Sequence, residues 1–243
     1  IKEGSNNSFK EIDISVEERP TGEISVTAGF GTTGETIGAG IKENNFLGKG
    51  IKLNTNFEVT SDSIKGQFIY AKPNFNYSDN TLFTSIKSST SDFLTDSGYK
   101  TSEIGFSLGT KFEQFQNIFL SPEIDFLIED LETTSDASNI LKKQEGSYTD
   151  LYFNYSINQD LRDKKFRTED GYVTTFSQEL PLVSDNSEIS NAFEITNYRK
   201  LSSTSDMVGK VSFFGKTITG LSDDVRISKR LNVPASRLRG FQR

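Results

Sequence analysis

The sequence predicts an all-β protein whose strands form an antiparallel up-and-down transmembrane β-barrel. The first observation is a strict alternation of apolar and polar residues, as in Ile51–Val59, where apolar residues and Thr55 alternate with Lys, Asn and Glu. Ile104–Phe112 repeats this pattern, and so does Leu151–Asn158 from Phe153 onward. A period of two places one face of each strand in an apolar medium and the other in water. No stretch shows a convincing helical period with capping residues.

Water-soluble β-sandwiches show the same alternation, so the period alone leaves a sandwich and a membrane barrel equally open. Two further observations favour the barrel. Several predicted strands are long enough to cross a bilayer at a tilt, and many of their water-side positions hold Gly, Ser, Asn or Lys. Tryptophan is absent, so Phe and Tyr would have to form the aromatic girdles at the two membrane interfaces.

Eleven strands are predicted from this alternation and from the turn residues between its segments. The first, near 23–31, and the second, near 36–43, are rich in glycine. The remaining nine lie near residues 50–60, 63–71, 80–90, 99–112, 116–133, 148–159, 172–181, 188–200 and 207–216.

The connections between these strands are of two kinds. Ser61–Asp62 and Glu113–Phe115 are short turns, whereas Ser91–Gly98 and Thr134–Ser147 are longer and polar. Consecutive antiparallel strands with short turns at one end and long loops at the other are typical of an up-and-down barrel. The sequence therefore predicts that connection length separates the two ends of the barrel.

Composition excludes several classes of function. The 243 residues include no cysteine and no histidine, which excludes disulfides, thiolate chemistry, His-ligated metals and every His-based triad. The net charge of −7 and the lack of a basic stripe argue against a nucleic-acid partner. The water-side carboxylates Glu58, Glu103 and Asp125 indicate a solvated lumen rather than a catalytic pair. We therefore expect no enzymatic activity, no cofactor and no metal site.

The first twenty residues differ from the rest. Phe9–Glu18 is predicted as a charged strand, and Arg19–Gly22 closes it. We expect it to be the last strand of a preceding soluble domain. Because the chain has no initiator Met and Ile1–Gly4 contains no apolar signal segment, we expect it to start partway through a longer protein. The predicted domains are 1–20, the end of that soluble domain with its linker, and 21–243, a partial barrel.

The glycines of Gly29–Gly34 fit the pattern G-x-G-x-x-G of dinucleotide-binding proteins. Such a site would need a helix after the glycines, but Glu35–Lys42 alternates like a strand, and its own glycines would destabilise a helix. The simpler interpretation is a hairpin whose turn, Thr32–Gly34, needs a glycine. Glycine-rich strands are also weakly held, so the first strand could open and pair with another chain.

Five segments combine Gly, Asn, Pro or Arg in patterns more specific than an ordinary turn. They are Glu17–Gly22, Asn44–Gly50, Lys72–Phe75, Arg162–Gly171 and Leu238–Phe241. In order and spacing they resemble the motifs of the BamA-type outer-membrane assembly barrels, of the bacterial surface antigen superfamily, over the whole chain. The first resembles the junction of the last periplasmic POTRA domain with the barrel, and the next three resemble turns. The last, the most specific, resembles the family's Val-Arg-Gly-Phe loop motif.

The resemblance marks nine turn residues, which are Asn45, Phe46, Leu47, Gly48, Gly50, Pro73, Arg162, Asp163 and Gly171. The fourth segment departs from the family pattern, because Arg167 replaces the usual proline and Glu169–Asp170 add a residue before the glycine. In the last segment Leu238 replaces valine. These departures bear on the subfamily more than on the family.

The resemblance implies a sixteen-stranded barrel, of which this chain would hold about eleven strands after the end of a POTRA domain. The loop after strand eleven would fold back into the lumen as a plug in which a guanidinium pairs with a carboxylate, formed by Leu238, Arg239, Gly240 and Phe241. In the family this arginine meets partners on later strands, which the chain would lack. Since single-chain bacterial barrels have even strand numbers, an odd count predicts a truncated chain with open edges that does not close as a monomer.

The resemblance also implies a function, the insertion of other barrel proteins into the bacterial outer membrane without nucleotide or chemical catalysis. Backbone groups of the first strand would accept a client's terminal strand by β-augmentation. That client-binding edge would consist of Glu23, Ile24, Ser25, Val26, Thr27, Ala28, Gly29, Phe30 and Gly31. The implied partners are outer-membrane lipid, unfolded outer-membrane protein clients and, through the missing POTRA domains, the lipoproteins of the BAM complex.

Four other functions remain open. A translocation or secretion barrel of the same superfamily would share the loop motif but differ in the number of periplasmic domains. A passive porin would show a constriction loop with opposed charge rows and no preceding soluble domain, and residues 1–22 argue against it. A surface hydrolase on a barrel anchor would need a nucleophile and a base that this sequence does not show. A soluble β-sandwich binding protein would not partition into membranes.

Overall fold

Eleven long strands make up most of the described structure. The structure, a computed structural model, describes residues 2–3, 10–11, 15, 17, 19–31, 34–202, 206–221 and 224–231. The strands are β1 Gly22–Gly31, β2 Gly34–Phe46, β3 Ile51–Thr60, β4 Ser63–Lys72, β5 Thr81–Phe93, β6 Tyr99–Phe115, β7 Ile118–Thr133, β8 Gly146–Asp160, β9 Gly171–Val183, β10 Glu188–Lys200 and β11 Val208–Gly220. All eleven strands predicted from the alternation are present, and the prediction of an all-β antiparallel fold is confirmed.

The strands form one antiparallel meander, because each pairs with its neighbours in sequence. β1 lies at one edge of the sheet and β11 at the other. Within the described residues β1 pairs only with β2, and β11 pairs only with β10. Short connections between consecutive strands favour this arrangement, since they leave no room for a crossover.

The two faces of the sheet have opposite polarity. On β6 and β7 the outer-face side chains are apolar and exposed, namely Ile104, Phe106, Leu108, Ile124, Phe126 and Ile128. The residues between them point to the inner face, where Ser107, Asp125, Leu127, Glu129 and Leu131 are buried. A water-soluble sandwich would hide its apolar faces between two sheets. Here one large sheet turns its apolar face outward and its polar face inward, as a barrel in lipid does.

Connection length does not separate the two ends of the sheet, contrary to the prediction. Ser61–Asp62, between β3 and β4, lies at the same end as the long connection 134–145 between β7 and β8. Glu113–Phe115 is part of β6, and the turn to β7 consists of Gln116–Asn117. Two residues suffice there because Asn117 adopts a φ of 63°. Local turn chemistry, rather than the end of the barrel, sets the length of these connections.

Helical structure is confined to connections. Two four-residue helices, α1 Leu94–Ser97 and α2 Asn139–Lys142, follow β5 and β7, and 3₁₀ turns occupy Phe75–Tyr77 and Ile227–Lys229. In the part of the chain that the structure describes, no helix has the length and hydrophobicity needed to cross a membrane.

The residues before β1 are described only in part. Lys2–Glu3 pairs with Lys10–Glu11 in a small antiparallel ladder. Most of the predicted strand Phe9–Glu18 lies outside the described residues, so the division into 1–20 and 21–243 stays a prediction.

Candidate functional site

β1 is exposed along its length. Every residue from Gly22 to Phe30 is exposed, and the outer-face side chains of Ile24, Val26 and Phe30 are exposed to 81%, 78% and 88%. The predicted client-binding residues therefore lie together on one edge strand. One side of its backbone faces β2, and the other side has no partner strand among the described residues.

On the inner face, side chains add little to the pairing of β1 with β2. The register runs from Gly22 opposite Glu43 to Gly31 opposite Gly34, and on the inner face Ser25 and Thr27 lie opposite Gly40 and Gly38. Ser25 Oγ donates a long 3.5 Å hydrogen bond to the carbonyl of Gly40. Because cross-strand side-chain pairs stabilise a sheet, the two glycines remove that contribution on the inner face, and the side-chain pairs that remain are on the outer face, such as Ile24 with Ile41.

The start of β1 is clamped. Thr21 Oγ1 donates to the Glu43 carboxylate at the end of β2, and the same carboxylate oxygen accepts the Asn45 N–H at 2.7 Å. Asn44 donates both its backbone N–H, at 3.2 Å, and its side-chain Nδ2, at 3.1 Å, to the Thr21 carbonyl. This cluster fixes the residue before β1 to the last residues of β2.

The predicted residues at 45–50 lie at the end of β2 and in the turn between β2 and β3. Asn45 Oδ1 accepts the N–H of Gly50 at 2.7 Å, and the Asn45 carbonyl accepts the N–H of Gly48 at 2.9 Å. Leu47, Gly48 and Gly50 all have positive φ, at 57°, 69° and 66°. Glycine is the residue that adopts this backbone region without strain, which explains two of the positions that the motif marks. Phe46 is the last residue of β2.

Pro73 follows the last residue of β4 and begins the connection to β5. The 3₁₀ turn after it begins with Phe75, whose N–H donates to the Asn80 carbonyl at 2.8 Å. Lys72 Nζ lies 5.8 Å from the centre of the Phe75 ring, within cation–π range. The segment that resembles an Asn-Pro-aromatic turn is therefore a compact turn with its own hydrogen bonds.

The connection 161–170 between β8 and β9 is held by charged groups. Arg162 makes a two-pronged contact with Asp160, Nε to Oδ1 and Nη2 to Oδ2, both at 2.8 Å. The backbone N–H groups of Asp170 and Glu169 donate to Asp163 Oδ1 and hold the pKa of the Asp163 carboxyl below its usual value. The predicted pair Arg162 and Asp163 thus acts within the turn, through two separate contacts.

Gly171 begins β9 at a φ of 100°. A Cβ atom there would lie 2.2 Å from the Leu161 carbonyl oxygen, closer than any side chain tolerates. Gly34, at the start of β2, has a φ of 83° and confirms that the first hairpin needs a glycine. Glu35 and the residues after it continue as strand, so the glycine pattern does not open a helix.

The inner face carries paired charges. Lys87 Nζ on β5 donates to Asp125 Oδ2 on β7 at 2.9 Å and lies 3.6 Å from Glu103 Oε1 on β6. The position of Glu103 and Asp125 on the polar face agrees with the sequence prediction. Within the described residues no group of three or more Asp or Glu side chains could hold a metal ion.

Arg226 carries a buried charge that no sequence motif marks. It follows β11 and has no exposed surface. Its Nη2 contacts Asp150 Oδ2, and its Nη1 lies 3.3 Å from Glu129 Oε2. The only signal in the sequence is the pair of inner-face carboxylates on adjacent strands, which need a cation from elsewhere. The predicted loop residues Leu238, Arg239, Gly240 and Phe241 lie outside the described residues.

The fold and the polarity of its faces define the class, an outer-membrane β-barrel. The Omp85 superfamily domain matches residues 45–243, and this chain belongs to that superfamily. The resemblance that the turn motifs carry is thereby confirmed, and the protein is a bacterial outer-membrane barrel.

A solved structure supports the fold. The chain is similar to a crystal structure of BamA from Haemophilus ducreyi that lacks POTRA domains 1–3, with a TM-score of 0.73 and 20% sequence identity. The similarity covers 85% of this chain and 42% of that one, so the chain spans less than half the length of this relative. No curated protein sequence matches the chain significantly.

Proposed function

We propose that the protein inserts client β-barrel proteins into the bacterial outer membrane, and that β1 is the strand to which a client pairs. The main support is the state of β1, which is exposed on both faces and partnered along one side only within the described residues. Main-chain hydrogen bonds can join its other side to the terminal strand of many clients, because they do not depend on side-chain identity.

The energetics favour exchange of partners at this edge. A backbone N–H or C=O left unpaired in the hydrocarbon layer costs several kcal/mol, so the edge of β1 is stable in lipid only when some strand covers it. An incoming client strand satisfies these groups, and its own, in one step. No nucleotide, cofactor or covalent intermediate is needed, so we propose that the protein is not an enzyme.

The partners follow from the same surfaces. The apolar outer face of strands such as β6 and β7 suits outer-membrane lipid. Unfolded outer-membrane proteins are the proposed clients. We propose that assembly-complex lipoproteins bind through POTRA domains that precede the barrel, and that residues 1–20 end the last of these domains.

The test is an insertion assay with the protein in lipid vesicles and an unfolded model barrel protein as client. Adjacent residues of a strand point their N–H groups to opposite sides. Val26→Pro and Thr27→Pro therefore remove one donor from the side facing β2 and one from the free side. Circular dichroism and amide exchange identify the variant that keeps β1 paired, and that variant is the one that tests the free edge.

We expect the protein to accelerate client insertion and the free-edge proline to abolish the acceleration while the barrel stays folded. A proline on β11, at an equivalent position, is the matched control and leaves the rate unchanged. Full acceleration by the free-edge variant would refute pairing at β1. Steady ion conductance without any acceleration would favour a passive porin, and export of a soluble passenger across the vesicle wall would favour a secretion barrel.

A further inference from the structure

The segment Asp224–Leu231, here called the inner segment, folds against the inner face of the sheet. Its Ile227 N–H donates to Gln144 Oε1 in the connection after β7 at 2.9 Å. Its Lys229 Nζ lies 3.8 Å from Glu103 Oε2 on β6 and 5.8 Å from the centre of the Tyr152 ring on β8. The inner segment therefore reaches across three strands of the wall.

The strongest contacts of the inner segment are those of Arg226. The guanidinium meets carboxylates from two adjacent strands, Glu129 on β7 and Asp150 on β8. The Nη1 contact with Glu129 is an ion pair rather than a hydrogen bond of good geometry, since Nη1 has no hydrogen-bond partner. All three side chains are almost fully buried. Buried charges of this kind persist only when each has an opposite charge beside it.

The surroundings favour arginine over lysine at this position. The guanidinium carbon lies 4.3 Å from the centre of the Tyr148 ring, so the planar group stacks on the aromatic face while its edge meets the carboxylates. Lysine has no planar group that can do both. Asp150 is held in turn, because Ser184 Oγ donates to its Oδ1 at 2.6 Å.

Beside this site, another buried carboxylate is hydrogen-bonded by a tyrosine and not by Arg226. Tyr152 donates its hydroxyl to Glu188 Oε1 at 2.6 Å, and both side chains are buried. The strands β7 to β10 thus offer four buried carboxylates, of which Glu188 accepts from Tyr152 and Asp125 accepts from Lys87. The other two, Glu129 and Asp150, are available for the cation that the inner segment brings.

We propose that Arg226 is a positioning residue that anchors the inner segment in the barrel lumen, and that the anchored segment narrows the pore. Glu129 and Asp150 form its socket, and Tyr148 selects a guanidinium. This inference does not depend on client insertion at β1, because it concerns the lumen wall at β6 to β8. It also does not involve Arg239.

The experiment measures ion conductance of the protein in planar bilayers, without a client. The variant Arg226→Met removes the charge and keeps most of the side-chain volume. Arg230→Met, an exposed position four residues later, is the matched control. Arg226→Lys tests whether any cation suffices. Because Arg226→Met leaves two buried carboxylates unpaired, the triple variant Glu129→Gln, Asp150→Asn, Arg226→Met is included to restore folding.

We expect Arg226→Met to raise the conductance several-fold, Arg230→Met to leave it unchanged and Arg226→Lys to fall between them. The triple variant should recover the folded fraction while the conductance stays high, because the segment still lacks its anchor. If Arg226 only stabilised the fold, the triple variant would recover both the folded fraction and the low conductance of the wild-type protein. If the triple variant folds and conducts as little as the wild-type protein, the anchor is not Arg226 and the proposal is overturned.

Discussion

The first hairpin and the wall formed by β7 and β8 use the same antiparallel ladder, yet they differ in what their side chains contribute. On the hairpin, Ser25 and Thr27 face glycines, and every described side chain of β1 is exposed. On the wall, Glu129 and Asp150 are buried and share a guanidinium from a distant segment.

The comparison shows that the backbone ladder sets where strands lie, and side chains set how firmly they stay. An edge strand with few side-chain contacts can exchange the partner on its free side. A strand whose side chains hold a buried ion pair cannot move without leaving charges uncompensated. One sheet can therefore combine an adaptable edge with a fixed wall.

The largest effect is expected on the wall, from Asp150→Asn. This change leaves the buried guanidinium of Arg226 with one weaker partner, so it should lower the free energy of unfolding by about 3 kcal/mol. Urea titration in lipid, followed by circular dichroism, gives the value. Ser25→Ala on β1 is the control and should change stability by less than about 0.5 kcal/mol. Equal losses in the two variants would remove the proposed difference between edge and wall.

A second comparison uses one glycine of the hairpin and one on β6, the strand that pairs with β7. A Cβ at Gly109 on β6 would lie 2.5 Å from Phe83 Cζ and 2.8 Å from the Pro122 carbonyl oxygen, so Gly109→Ala should cost about 1–3 kcal/mol of stability through overpacking. A Cβ at Gly40 would lie 2.7 Å from Ser25 Oγ, which can rotate away. Gly40→Ala should therefore cost under about 1 kcal/mol. The same titration checks both, and a larger loss at Gly40 would contradict the view of a loosely held edge.

The edge can also be tightened. In Gly38→Thr the new Cβ would be 3.8 Å from Thr27 Cβ, an ordinary contact, and the two threonines would form a cross-strand pair worth about 0.5 kcal/mol. We expect slower amide exchange in β1 and slower client insertion. Gly215→Thr on β11 serves as the control, because it makes the same glycine-to-threonine change in a strand that does not pair with β1. Faster insertion in Gly38→Thr would mean that β1 acts through rigidity rather than through exchange.

The smallest effect is expected in the turn 161–170, from Asp163→Asn. Hydrogen bonds from two backbone N–H groups lower the pKa of Asp163 in the folded state, so the ionised carboxyl stabilises the turn above its unfolded pKa of about 3.9. That contribution disappears as the pH falls through the folded-state pKa. Wild type should be slightly more stable than the variant at neutral pH and equal to it in strong acid. Unfolding midpoints at several pH values measure this, with Asp79→Asn as the control, and a difference that persists in acid would point to another cause.

Much of the fold could be predicted from sequence, because a strand's period is a local property. The alternation in Ile51–Val59 or Ile104–Phe112 needs no distant information, and positive φ explains why Gly48, Gly50 and Gly171 stand where they do. The prediction that short and long connections lie at opposite ends of the barrel was wrong. Two residues with the right φ can replace a loop anywhere, and the length alone does not reveal at which end it lies.

The buried ion pair could not be predicted in the same way. Arg226 is 76 residues from Asp150 in sequence, and the inner segment resembles any polar loop. Only the register of β7 with β8 brings Glu129 and Asp150 to the same face in diagonal positions two residues apart, and register is a property of the assembled sheet. Such a contact can be found once the register is known, because two inner-face carboxylates on adjacent strands then indicate that another segment supplies a cation.

The clamp at Thr21 and Glu43 has a consequence for how the sheet can grow. β1 is joined covalently to β2 through their hairpin at one end, and hydrogen bonds from and to Thr21 fasten it to the last residues of β2 at the other. Because β1 is connected to β2 at both ends, another strand cannot easily insert between β1 and β2. The other side of β1 has no partner strand among the described residues, so on the proposed mechanism a client strand would be added outside β1 and the order of the existing strands would be preserved.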